Sequence, residues 1–80
     1  MEKKILSIVK SLLNPEERKD VTLDSRLDAD LGLDSIDKVD LSMQLENRFR
    51  FKEKDAVWGD FLHEQDRTVR DVCDFVKERI

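Results

Sequence analysis

Cysteine occurs once in this chain, at Cys73, so an internal disulfide and a cysteine-rich metal site are both excluded. Histidine also occurs once, at His63, which leaves little material for histidine-based catalysis. No apolar run approaches the roughly 18 residues of a spanning helix. Met1-Glu2-Lys3-Lys4 leads into an amphipathic segment rather than the apolar core of a signal peptide. Positive charge is not in excess, and a net charge of −4 argues against general nucleic-acid binding, which rests on clustered Lys and Arg. Repeats, low-complexity tracts and interdomain linkers are missing as well. What is present is 80 residues, 39% hydrophobic and 42% charged, the size of one small domain with a heavily charged surface. Together these features set the expectation of a monomer in a reducing, cytoplasmic setting, without membrane insertion.

The apolar residues recur at helical spacing. Ile5, Ile8, Val9, Leu12 and Leu13 predict a first helix, and Asn14-Pro15 stops it, because a residue before proline is pushed out of helical angles. A long connection follows, from Pro15 to about Leu33, with Val21, Leu23, Leu27 and Leu31 available to pin it. Asp34 and Ser35 both offer capping side chains to the next helix. That helix has two apolar stripes, one of Leu41, Leu45 and Phe49 and one of Ile36, Val39 and Met43. A surface helix needs only one stripe, so the second packs on another element or serves a partner. Asp55 is the expected cap of a short third helix with Val57, Trp58, Phe61 and Leu62, although Gly59 weakens it. Thr68 and Asp71 form an acidic capping box before Val69, Val72, Cys73, Val76 and Ile80. Arg48 to Lys52 alternates like a strand but has no pairing partner. The fold class is therefore all-α, with three longer helices, a short third one, and a core that includes Leu6, Val9, Leu13, Leu41, Leu45, Phe49, Val72 and Val76.

The stretch LGLDSIDKVDL, Leu31 to Leu41, places Ser35 where the loop becomes the second helix. As a nucleophile Ser35 would need a base, and only His63, in the third helix, is on offer. A calcium loop opening at Asp28 fails, because its sixth position is Leu33 instead of glycine and its twelfth is Val39 instead of glutamate. Cys73 lies within the apolar stripe of the last helix, as a buried small hydrophobe would. Two uses of Ser35 remain: a helix cap, or a hydroxyl modified by another enzyme.

In this context LGLDSIDKVDL resembles the prosthetic-group attachment site of acyl carrier proteins. The resemblance extends along the whole chain: an amphipathic first helix, a long loop, Asp-Ser-Ile opening the second helix with acids after it, and a terminal Thr-Val-x-x-Val helix. It implies a four-helix bundle that is a carrier and not an enzyme, with 4′-phosphopantetheine on Ser35. A separate phosphopantetheinyl transferase would supply the base and the Mg²⁺ chemistry. Asp34 would help orient the serine, and acyl groups would ride on the arm as thioesters. The resemblance also implies that Ile36, Asp37, Asp40, Met43 and Glu46 meet basic grooves on acyl-transferring, ligating or condensing enzymes of fatty-acid, lipid or polyketide-type biosynthesis. Ile36 and Met43 fall within about 60° of Asp40 on the helical wheel, an apolar contact inside a charged rim.

Two departures mark the chain as a specialised member. The second helix carries −3 from Asp34 to Asn47 (Asp34, Asp37, Asp40 and Glu46 against Lys38). It then turns to +3 from Arg48 to Lys54 (Arg48, Arg50, Lys52 and Lys54 against Glu53), so Arg48 and Arg50 join the expected partner surface. The segment from Phe49 to Thr68 is also long and contains Trp58 and Phe61, which either fill the core or line an acyl cavity. Two alternatives stand beside this reading: an aminoacyl or peptidyl carrier, whose attachment loop more often reads Gly-Gly-His-Ser or Gly-Gly-Asp-Ser, and an unmodified helical adaptor.

Overall fold

The computed structural model describes residues 1–80 and is a helical bundle with no strand. Four α-helices, α1 (Glu2–Ser11), α2 (Ser35–Phe49), α3 (Asp55–His63) and α4 (Val69–Lys77), are joined by a long loop that includes a single 3₁₀ turn at Arg18–Asp20. The molecule measures 32 × 24 × 18 Å. Helix α1 packs against both α2 and α4, and α3 packs on α2.

The core follows the apolar periodicity. Ile5 and Val9 of α1, Leu41 and Leu45 of α2, and Val69, Val72, Cys73 and Val76 of α4 are completely buried. Of the eight expected core residues, Leu13 is buried with this group, while Leu6 and Phe49 are only partly buried and pack against its edge. Burying side chains of this kind contributes about 1.5–3 kcal/mol each, which is why a domain this small holds together without a disulfide.

The loop between α1 and α2 is ordered, as its apolar residues predict. Val21, Leu27, Leu31 and Leu33 are buried, and Leu23 packs against the same cluster. Backbone bonds then tie the loop to the entry of α4. Leu27 N–H donates to the Arg67 carbonyl at 2.8 Å, Val69 N–H to Ser25 at 3.0 Å, and Arg70 N–H to Leu23 at 2.8 Å. Gly32 takes the left-handed conformation, φ +63°, in the turn that delivers the chain into α2.

Several boundaries differ from the sequence expectation. Lys54 occupies the N-cap of α3 with no side-chain hydrogen bond, and Asp55 is the first helical residue instead of the cap. Helix α3 runs straight through Gly59. Helix α4 ends at Lys77, short of Ile80, which is 59% exposed. The strand-like Arg48–Lys52 is the end of α2 and its exit: Arg50 is left-handed, φ 56°, and its N–H returns to the Glu46 carbonyl. Backbone in that region costs an L-residue about 1–2 kcal/mol.

Trp58 is 5% exposed and sits in an aromatic group with Phe51 and Phe75, while Phe61 stacks on Phe75 at 4.2 Å between centroids. Arg79 completes the group, its guanidinium 3.5 Å from the Phe75 centroid and its Nε donating to Glu53 at 2.7 Å. Of the segment between α2 and α4, Trp58 and Leu62 thus join the core, with Phe51, Val57 and Phe61 packed against it.

Candidate functional site

Ser35 is the first residue of α2 and is exposed. It is not the cap. Asp34 takes that role in a reciprocal capping box: its Oδ1 accepts from Asp37 N–H at 2.8 Å, and Asp37 Oδ2 accepts from Asp34 N–H at 3.2 Å. The Ser35 hydroxyl makes no hydrogen bond, to His63 or to any other group, and neither do the backbone N–H groups of Ser35 and Ile36. This is a free hydroxyl at the positive end of a helix dipole, beside two unpaired donors suited to a phosphodiester.

The second apolar stripe of α2 is left uncovered beside Ser35. Ile36 is 77% exposed, Val39 53% and Met43 57%, and with Ser35 and Asp40 they line a shallow open groove of about 360 Å³. Exposed apolar side chains gathered in one place mark an interaction surface. Asp40 stands at its edge, engaged only by Gln44 Nε2 at 3.2 Å.

The structure does not gather all the expected partner-facing residues there. Glu46 turns inward: its Oε2 accepts from Glu53 N–H at 2.9 Å and from Trp58 Nε1 at 3.0 Å, which fixes the entry to α3. The Glu53 amide, first, and the Trp58 indole hold the Glu46 carboxyl below its ordinary value of 4.5, against the opposing effect of burial. Asp37 is committed to the cap. Arg48 and Arg50 are exposed at the other end of α2, roughly 20 Å from Ser35 at 1.5 Å per residue. There they line a separate groove with Ile8, Gln44 and Asn47.

A cleft of about 390 Å³ lies between α2 and α3. Lys38, Val39, Ser42, Met43 and Glu46 form its α2 wall, and α3 closes it with residues that include Trp58, Gly59 and His63. Gly59 leaves the cleft wide, since a Cβ there would meet nothing within 4 Å. Lys38 was not among the residues expected to matter. It is buried at 5% exposure with its ammonium 2.5 Å from Asp28. The two residues are ten positions apart, and their pairing leaves no local signal in the sequence. The spacing of Lys38, Ser42 and Glu46, one turn apart on a single face, was the signal available.

Residues 3–76 match the model of the phosphopantetheine attachment site family. The chain is 35% identical over 74 residues to an acyl carrier protein of Coprothermobacter proteolyticus, covering 92% of this chain and 83% of the relative. It is 38% identical to one from Treponema denticola, covering 96% and 91%, and 43% identical over 63 residues to one from Chlamydia trachomatis serovar D, covering 76% and 73%.

Proposed function

Because the chain belongs to the acyl carrier protein family, and so works as a non-catalytic carrier with a covalent 4′-phosphopantetheine arm, we propose that Ser35 bears that arm. The observation that carries this reading is the free hydroxyl of Ser35 at the start of α2, with Asp34 and not Ser35 spent on the cap. In the transfer, the Ser35 oxygen attacks the β-phosphorus of coenzyme A's pyrophosphate. The serine proton leaves to the transferase's base and 3′,5′-ADP departs. The N–H groups of Ser35 and Ile36 would be available to hold the phosphodiester, and Asp34 would hold the helix end that presents it. Once bound, the arm supplies a thiol for thioester formation.

Members of this family are served by phosphopantetheinyl transferases and by biosynthetic enzymes. For this chain we place the enzyme contact on Ile36, Val39, Asp40 and Met43, and the acyl chain in the α2–α3 cleft. Acyl-transferring, ligating or condensing enzymes would each need the same access to the arm. No helix is long and apolar enough to cross a membrane.

Incubation with coenzyme A and a broad-specificity phosphopantetheinyl transferase is expected to add one phosphopantetheinyl unit by mass spectrometry, and Ser35→Ala is expected to add none. An unchanged mass with several active transferases, or modification that survives in Ser35→Ala, would overturn the assignment.

A further inference from the structure

The wall of the α2–α3 cleft contains polar groups that a saturated acyl chain leaves without partners. The cleft has a direction. Along α2, Lys38 follows Ser35 by about one turn and Ser42 by two, while Glu46, bound to Glu53 and Trp58, marks the far end of the wall. The Lys38 end is therefore the end nearer Ser35, and a chain entering from the arm passes Lys38 first and Ser42 one turn later.

Both groups are buried, and each is only partly satisfied. Lys38 is 5% exposed, and Asp28 is the one acceptor its ammonium meets, although an ammonium has three N–H bonds to donate. Ser42 is 8% exposed and spends its hydrogen on the Val39 carbonyl at 2.7 Å, which leaves the lone pairs of Oγ free. The wall thus offers spare donors at position 38 and a spare acceptor at position 42. Residues four apart on a helix are neighbours on one face, about 5–6 Å apart at Cβ, and these two line the same cleft. Methylenes laid over this wall would displace water from both groups and return no hydrogen bond.

We propose that the cleft selects an acyl chain carrying a hydroxyl close to the thioester, with Lys38 and Ser42 as its specificity-determining residues. The hydroxyl oxygen accepts from Lys38 and its hydrogen goes to Ser42 Oγ. A keto group could use only Lys38, and a methylene neither. The inference rests on the carrier reading above and adds the class of cargo to it.

The test loads Ser35 with octanoyl, (R)-3-hydroxyoctanoyl or (S)-3-hydroxyoctanoyl arms from the corresponding coenzyme A thioesters, with mass spectrometry to establish loading. Thioester cleavage by hydroxylamine is then timed on the protein and on the free pantetheine thioester, and the ratio gives the protection due to the protein. One hydroxy enantiomer is expected to be protected about 2- to 10-fold more than octanoyl, the span that one net hydrogen bond gives. Ser42→Ala, which leaves the Lys38–Asp28 pair intact, is expected to shrink that advantage. Lys38→Met/Ser42→Ala is expected to abolish it, and its fold should hold because the stranded Asp28 side chain is 45% exposed and stays hydrated. Failure to load would overturn the carrier reading, and this inference with it. Normal loading with equal protection of all three chains would overturn the cargo assignment alone, as would equal protection of the two enantiomers or an advantage that survives in the double variant.

Discussion

Glu46 shows how much one side chain settles in a domain of this size. Its single carboxylate oxygen ties the end of α2 to the backbone of Glu53 and to the indole of Trp58. Glu46→Ala would leave a buried indole N–H unpaired, so a loss of about 1–3 kcal/mol in denaturant unfolding is expected, with a smaller loss for Glu46→Gln, which keeps an acceptor. The folded-state value of Glu46 lies below 4.5, first through the Glu53 amide, so its contribution is complete above that pH and is lost as the pH falls through the folded value. Glu53 is lowered in the same direction, chiefly by the Lys54 amide. Urea melts from pH 7 to 3 should therefore show stability declining below about pH 4.5, with a shallower decline in Glu46→Gln. At the apolar extreme, Leu45 is completely buried, and Leu45→Ala is expected to cost about 2–5 kcal/mol in the same melts. Local motifs made the start of α2 at Asp34-Ser35 legible in the sequence, though not which of the two caps it, and periodicity made Leu45 legible. The inward turn of Glu46 and the Lys38–Asp28 pair were not, because each joins residues that meet only after the loops fold.

At the scale of elements, α2 carries two chemistries on one rod. Its first half presents Asp40 beside the uncovered Ile36, Val39 and Met43, and its end presents Arg48 and Arg50 in a different groove. The charge break is visible in the sequence, but the bonds of Glu46 to Glu53 and Trp58, which turn that acid toward α3, are not. Arg48 and Arg50 form no ion pair within the chain, so their charge is free to act on an approaching enzyme. With the arm attached, Arg48→Glu/Arg50→Glu is expected to be a better substrate than wild type for an enzyme with a uniformly basic docking groove. The gain should come mainly from faster association, and it should shrink between low and moderate salt. Equal or slower association of the folded variant at low salt would show the arginines to be an indifferent helix end.

Across the whole molecule, the helices are anchored unequally. Helices α2 and α4 each begin with a reciprocal capping box, and α4 is further stitched to the long loop by backbone bonds at Val69 and Arg70. Cys73, inside that best-secured helix, is completely buried, and burial pushes its thiol above the ordinary value of 9.0. Alkylation of the native protein at pH 8 should consequently track global unfolding, while a free thiol reagent control reacts at once. Helix α3 has neither device: Lys54 gives it no side-chain cap, Gly59 lowers the helix propensity of its middle, and its entry depends on Glu46 and its aromatic neighbours. An uncapped helix beside a cleft behaves as a door hung on one hinge. Its amides should exchange with deuterium while those of α2 and α4 remain protected, and a cargo would leave the cleft by local opening of α3 with the rest of the bundle closed.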